Sequence, residues 1–299
     1  MLKFAVPCGV FVLSSSFVLI TDYGFIDHKH PVHFEAEYRA VGKAEFRNKP
    51  VKDTHEKYAD GKARLFYSHD ITPDNTLSWG VSDTYLKFDW PQNPRFTGDH
   101  YNFAGASLAW VSTSVTDWRW ILGTAATVDA SDFNFGKTGV YYGLMWGRYH
   151  YSKDVGLHLG WTGFAGVHNG YLLPIIGVDW KFKQNWKLKA IFPVDFSLHY
   201  NFATDWSLIL AAKSFGRPYR FPMRVHGGIG KFHNGIFQVY STGAELNLNY
   251  SHSNFFTAEI GGGWNFGGWT FIEDSQGHQG KYFRFNGAPY AQANFAFTF

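Results

Sequence analysis

Three groups of residues have the types and spacing to do chemistry. In His150-Tyr151-Ser152 the imidazole and the hydroxyl lie two residues apart, so on a strand they share a face, as activation of a hydroxyl by a base requires. A polar partner to orient the histidine is missing, because the residue twelve positions on is Phe164. His252-Ser253-Asn254 holds its pair on adjacent positions, which a strand points to opposite faces. Asp195, Ser197 and His199 do share one face, but Ser197 stands between the acid and the base, with same-face Cα atoms about 6.6 Å apart. A triad needs the histidine in the middle, so this group reads as a satisfied polar cluster. No catalytic residue is assigned, and the chain is not expected to be an enzyme.

Metals and cofactors fare no better. His28, His30 and His33 form the one tight histidine group and lack a carboxylate or cysteine at matching spacing, so no metal site is assigned. Gly261-Gly262-Gly263 lies inside a strand-like pattern, not at a phosphate-binding turn, and no cofactor is expected.

The elements that must carry these residues follow a period of two. From Val32 to Phe46 the even positions are apolar or small, while the odd ones include Glu35, Glu37, Arg39, Lys43 and Glu45. From Lys187 to Tyr200 the even positions are Leu188, Ala190, Phe192, Val194, Phe196 and Leu198, against Lys187, Lys189, Asp195, Ser197 and His199. Weaker alternation recurs at 77–85, 103–111, 118–128, 140–146, 157–161, 206–214 and 256–266, separated by turn residues such as Pro73-Asp74-Asn75 and Lys183-Gln184-Asn185. Residues 267–281 read as a polar surface loop.

Counting back from the end, Phe299, Phe297, Phe295, Ala293, Ala291, Gly287, Phe285 and Phe283 share one face, and Thr298, Asn294, Gln292, Asn286 and Arg284 the other. Faces this apolar need lipid, and strands cross hydrocarbon only when closed without an edge. The expected fold is therefore all-β: a transmembrane, antiparallel, up-and-down barrel of about twelve strands, with ten or fourteen as the bounds. Trp90, Tyr101, Trp118, Trp120, Tyr141, Tyr142, Tyr149, Tyr151, Trp180, Trp186 and Trp206 fall near strand ends, where interfacial girdles place aromatics.

Composition agrees. Aromatic residues make up 20% of the 299 positions, yet mean hydropathy is −0.23, as alternation produces. Beyond the N-terminus no run approaches the ~20 apolar residues of a membrane helix. The 27 basic and 24 acidic residues are scattered, which argues against nucleic acid as a partner. Met1-Leu2-Lys3 followed by the mostly apolar Phe4 to Ile20 reads as a signal peptide over 1–16, with cleavage as late as about Gly24. Its loss would remove Cys8, the one cysteine. Residues 17–31 then form a short periplasmic lead-in and 32–299 the barrel.

Two resemblances add to this. The last ten or so residues resemble the C-terminal strand of bacterial outer-membrane barrels, which implies that Phe295, Phe297 and Phe299 are read by the barrel assembly machinery. Leu173-Pro174-Ile175-Ile176-Gly177 through Trp180, Asn185-Trp186-Lys187-Leu188, and Phe192-Pro193 on to Tyr200 resemble a family of outer-membrane barrels of uncharacterised function. That likeness implies outer-membrane location and transfers no active site. The inward face then becomes the functional surface: Glu35, Glu37, Arg39, Lys43, Glu45, Lys187, Lys189, Asp195, Ser197, His199, Arg284 and Asn286, with Gln292 and Asn294. The expected activity is passage of a small polar solute. A closed structural or surface-interaction barrel comes second and a lipid-modifying enzyme third.

Overall fold

The computed structural model describes residues 31–47, 54–89, 100–166, 170–215, 218–221, 235–253, 255–273 and 281–299. The expected signal peptide and the lead-in as far as residue 30, with His28 and His30, lie outside them, as do Trp90 and Asn254.

Among the described residues sixteen strands run in chain order: β1 (Val32–Glu45), β2 (His55–Thr72), β3 (Asn75–Asp89), β4 (His100–Ser112), β5 (Trp118–Asp129), β6 (Val140–Ser152), β7 (Val155–Ala165), β8 (Tyr171–Lys183), β9 (Trp186–Phe192), β10 (Asp195–Asn201), β11 (Trp206–Phe215), β12 (Pro218–Phe221), β13 (Gly235–His252), β14 (Phe256–Glu273), β15 (Lys281–Phe285) and β16 (Ala288–Thr298). One helical turn, α1 (Phe135–Thr138), precedes β6. Each strand pairs antiparallel with its sequence neighbour, apart from the short β12 and β15. β1 meets β16, and β11 meets β13, which meets β14 and through it β16, so the ring closes with fourteen strands. β12 continues the line of β11 along β13, and β15 continues that of β16 along β14.

The expected count of about twelve is thus corrected to fourteen. β2 and β13 are strands in their own right, and the stretch from Lys187 to Tyr200 is a hairpin, with Ile191 opposite Asp195 and Lys187 opposite His199. The expected polar loop at 267–281 is strand as far as Glu273.

Alternation decides which face is which. Leu65, Trp79, Val81, Leu108, Leu122, Leu159, Trp161, Leu210, Leu246 and Ile260 are exposed on the outside of the ring. Their in-between neighbours are turned inside it. Connections at the end that holds both described termini are short, as at Pro73-Asp74, Lys153-Asp154 and Gln184-Asn185. Those at the other end are longer at β1–β2, β3–β4 and β5–β6 and short at β9–β10. Aromatics gather outside near the short-turn end: Trp118 stacks on Trp120 at 5.0 Å and leans on Tyr149 at 5.2 Å, and Trp186 meets Tyr200 at 4.6 Å. Two of the expected girdle residues are instead internal. Tyr142 is buried in the lumen, and Tyr101 packs against an internal cluster.

The interior has two apolar clusters. One joins Val41, Phe46, Tyr58, Phe88, Phe285 and Tyr290 toward the long-loop end. The other runs along the inner wall from β4 to β9 and includes Val111, Leu144, Trp146, Phe164, Ile175 and Ile191. Between them the lumen is charged.

Candidate functional site

The polar side of the lumen is built by β1, β2, β11, β13, β14 and β16. In β1 the odd residues point inward up to Val41, and the register sets Glu35 opposite Arg64 and Arg39 opposite Asp60. Arg64 Nε lies 2.9 Å from Glu35 Oε2, and its Nη2 lies 3.5 Å from Glu37 Oε2. Arg39 Nη2 donates to Glu37 Oε1 at 2.9 Å and lies 3.6 Å from Asp60 Oδ2. This makes a ladder of alternating sign, Glu35–Arg64–Glu37–Arg39–Asp60, climbing one wall.

Across the β16 seam stands Glu245 of β13, almost wholly buried. Its carboxylate accepts hydrogen bonds from Tyr290 Oη at 2.9 Å, Asn247 Nδ2 at 2.7 Å and Gln292 Nε2 at 3.2 Å, and Lys213 Nζ lies 3.2 Å away. Glu259 of β14 joins through the same Asn247 and Gln292 amides. Charges taken out of water cost several kcal/mol each unless paired and hydrogen-bonded. The saturation of Glu245 is what lets it sit inside.

Beside β11, on β9 and β10, Lys189 Nζ lies 3.4 Å from Asp195 Oδ2, and Ser197 Oγ is 2.9 Å from His199 Nε2. Asp195 therefore answers Lys189, and the Ser197–His199 pair has no acid aligned behind it from this trio. Near the short-turn end Trp146 Nε1 donates to His158 Nδ1 at 2.9 Å, and His158 Nε2 faces Asp179 Oδ2 at 2.9 Å. Arg148 completes the set with a two-pronged grip on Asp179 at 2.7 and 2.9 Å. With both ring nitrogens engaged, His158 is a structural link.

Of the lumen residues expected from the alternation, Glu35, Glu37, Arg39, Lys189, Asp195 and Ser197 lie inside, and the register carries Lys187 and His199 on the same face. Lys43 and Glu45 do not. The β1 register shifts between Val41 and Ala44, so Ala44 and Phe46 turn inward and the two charges outward. Gly42 sits at that shift, where a Cβ would come 3.2 Å from the Pro289 carbonyl oxygen. Arg284 is likewise exposed, because the break between β15 and β16 turns Phe283 and Phe285 inward, and Asn286 lies in that break. Phe295 and Phe299 are exposed on the outside, with Phe297 stacked on Phe299 at 6.2 Å.

Neither histidine–serine pair assembles. His150 lies against Arg148 Nη1, and Ser152 Oγ accepts from the Asp154 N–H at 3.3 Å. In the other triplet Ser253 Oγ donates to the carbonyl of His252 at 2.6 Å, and the His252 ring faces Asp205 Oδ2 at 3.3 Å. Among the described residues no group of histidine, cysteine and acidic residues could hold a metal ion.

The sequence reading missed Asp60, Lys62 and Arg64 of β2 and Glu245, Asn247 and Glu259. For β13 a signal existed, since Glu245, Asn247 and Asn249 alternate with Leu246, Leu248 and Tyr250.

A closed ring with an apolar outer face, aromatic clusters at its rim and short connections at one end has the anatomy of bacterial outer-membrane barrels. Its location is the bacterial outer membrane. No helix among the described residues is long and apolar enough to cross a membrane. No family model matches the chain. Its relatives include an uncharacterised protein of Chlamydia pneumoniae, 24% identical over 286 residues with 88% of each chain covered, and one of Chlamydia trachomatis, 21% identical over 280 residues with 88% and 86% covered. Among solved structures, the COG4313 outer membrane channel from Pseudomonas putida F1 aligns with a TM-score of 0.49 at 9% identity, covering 90% of this chain and 96% of that one. The Pseudomonas putida toluene transporter TodX aligns with a TM-score of 0.43 at 8% identity, covering 97% and 95%.

Proposed function

We propose that the barrel is a narrow channel that passes a small polar solute along the charged side of its lumen. One observation carries the reading: charged side chains of both signs from five strands, β1, β2, β11, β13 and β14, converge on one inner wall, where a purely structural core would be cheaper to build from apolar residues. Lys213, with its side chain 41% exposed beside the buried Glu245, is more open to a passing solute than Arg39, Arg64 or Lys189. Conductance of the refolded protein in a planar bilayer tests this. Discrete, reproducible steps are expected, and a folded but silent barrel would overturn it.

The second reading is a closed barrel of the envelope. The near-complete burial of Glu35, Arg64 and Glu245 favours it, since ion pairs across a lumen also plug it. Under either reading we propose that Phe295, Phe297 and Phe299 present the assembly signal to the barrel assembly machinery and that the outer belt contacts outer-membrane lipid.

A further inference from the structure

Arg119 of β5 and Arg148 of β6 stand directly opposite each other, and both share a face with the inward Ile121 and Trp146. Like charges in register on one face of an antiparallel pair repel. The neighbouring strands add to the charge. His150 lies one inward step below Arg148, and Lys187 of β9 faces His199 of β10, all toward the short-turn end of the lumen. Among the described residues, the inward faces of β5 to β9 carry one carboxylate near this end, Asp179 of β8. Asp117 and Asp154 belong to the rim turns.

Asp179 is already committed. It accepts from Arg148 Nε at 2.7 Å and from Arg148 Nη2 at 2.9 Å, and it faces His158 Nε2 at 2.9 Å. That grip fixes the direction of the guanidinium and turns its third nitrogen, Nη1, away from the acid. Nη1 lies beside the His150 ring, 2.9 and 3.2 Å from its two nitrogens. Gly156, opposite His150, gives the guanidinium room: a Cβ there would come 2.6 Å from Arg148 Nε. The charges of Arg119 and Arg148 both act on His150, and those of Arg148 and Lys187 both act on Asp179, so electrostatic contact is continuous from β5 to β9. The site is also reachable. The Arg148 side chain is 31% exposed and His150 is exposed, in contrast to the sealed Glu35–Arg64 pair further along the wall.

Three cations and an imidazole around one engaged carboxylate fit an anion. Guanidinium forks match the oxygens of a phosphate group two at a time, and a lysine adds a point charge. An oxyanion between Arg119 and Arg148 separates the two like charges, accepts from Nη1 and leaves the grip on Asp179 intact. His150 can donate to it from a ring nitrogen.

We propose that Arg119, Arg148, His150 and Lys187 form a binding site for a phosphate group just inside the short-turn mouth of the lumen. This goes beyond the polar-solute reading and does not need the lumen to conduct. The same chemistry serves inorganic phosphate and the phosphate group of an organic monoester.

Isothermal titration calorimetry of the refolded protein tests this, in a sugar-headed detergent that carries no phosphate and with sodium chloride as the background salt. The probes are inorganic phosphate and glycerol 3-phosphate. Saturable, one-to-one binding is expected, and the probe that binds more tightly names the source of the phosphate group. Arg119→Gln weakens that binding about tenfold, the worth of a charge-assisted contact, and Lys187→Gln weakens it severalfold. Arg284→Gln, exposed on the outside, keeps the wild-type affinity. Heat-modifiable gel migration verifies that each variant is folded; should Arg119→Gln not fold, Lys187→Gln decides alone. No binding of either probe by the folded wild-type protein, or folded Arg119→Gln and Lys187→Gln proteins that bind as the wild type does, would overturn the proposal. Calorimetry reads binding without flow. A silent barrel that binds phosphate therefore removes the channel reading alone, and a conducting barrel that binds neither probe removes this one alone.

Discussion

Arg64 and Glu35 face each other across the β1–β2 ladder with 2.9 Å between Nε and Oε2, and their side chains are only 2% and 1% exposed. Arg64 also reaches Glu37, so the two ends of the pair are not equivalent. Arg64→Ala takes the guanidinium away from the buried Glu35 while Glu37 keeps Arg39, whereas Glu35→Ala leaves Arg64 with Glu37. Breaking a buried pair costs about 3–5 kcal/mol. Arg64→Ala should fall in that range and Glu35→Ala below it, as read from urea unfolding of the barrel in lipid vesicles. Equal losses would mean that Glu37 does not share the guanidinium.

The outer belt gives a second expectation. Leu159 is 54% exposed at the middle of β7. If lipid covers it, Leu159→Arg destabilises the barrel in vesicles by about 2–4 kcal/mol, the cost of a cation near the bilayer midplane. Lys43, outside but within the β1 register shift toward the long-loop end, should tolerate exchange for Gln with little change. A harmless Leu159→Arg would place that face in water.

The C-terminal strand gives a third. Phe299 is exposed, and its ring meets Phe255 edge-on at 5.6 Å as well as stacking with Phe297. Removing Phe299 should lower folded barrel in the outer membrane of cells severalfold while leaving refolding of the purified chain in detergent intact. A matching loss in both settings would make Phe299 a packing residue and not an assembly signal.

How much of this was legible in the sequence varies from strand to strand, for physical reasons. The lower half of β1 was readable because one face meets lipid and the other the lumen, so the period of two is clean from Val32 to Arg39. The inward turn of Ala44 and Phe46 was not, because a register shift changes the facing without leaving a mark in composition. The β9–β10 hairpin was hidden for a related reason. Ile191 opposes Asp195, so odd residues face inward on both strands, and the apolar Phe192-Pro193-Val194 turn does not interrupt the pattern. β2 was missed because its outward positions include Ala59, Gly61 and Ala63, too small to announce a lipid face. Of the site, the β1 side of the ladder and the Lys189–Asp195 pair were visible as inward charges. Their partners come from strands remote in sequence, and only closure of the ring brings Glu245 beside Tyr290 and Gln292.

The central claim is that charges on the inner wall govern what crosses the barrel. Its most direct test compares the reversal potentials of Lys213→Gln and Arg284→Gln channels in planar bilayers under a salt gradient. Lys213 stands in the lumen beside Glu245, and Arg284 is exposed on the outside. Removing Lys213 leaves Glu245 uncompensated and should raise the cation-to-anion permeability ratio about twofold, the weight of a few tenths of a kcal/mol. Arg284→Gln should keep the wild-type ratio. Equal shifts from both, or none from Lys213→Gln in a conducting barrel, would contradict the account.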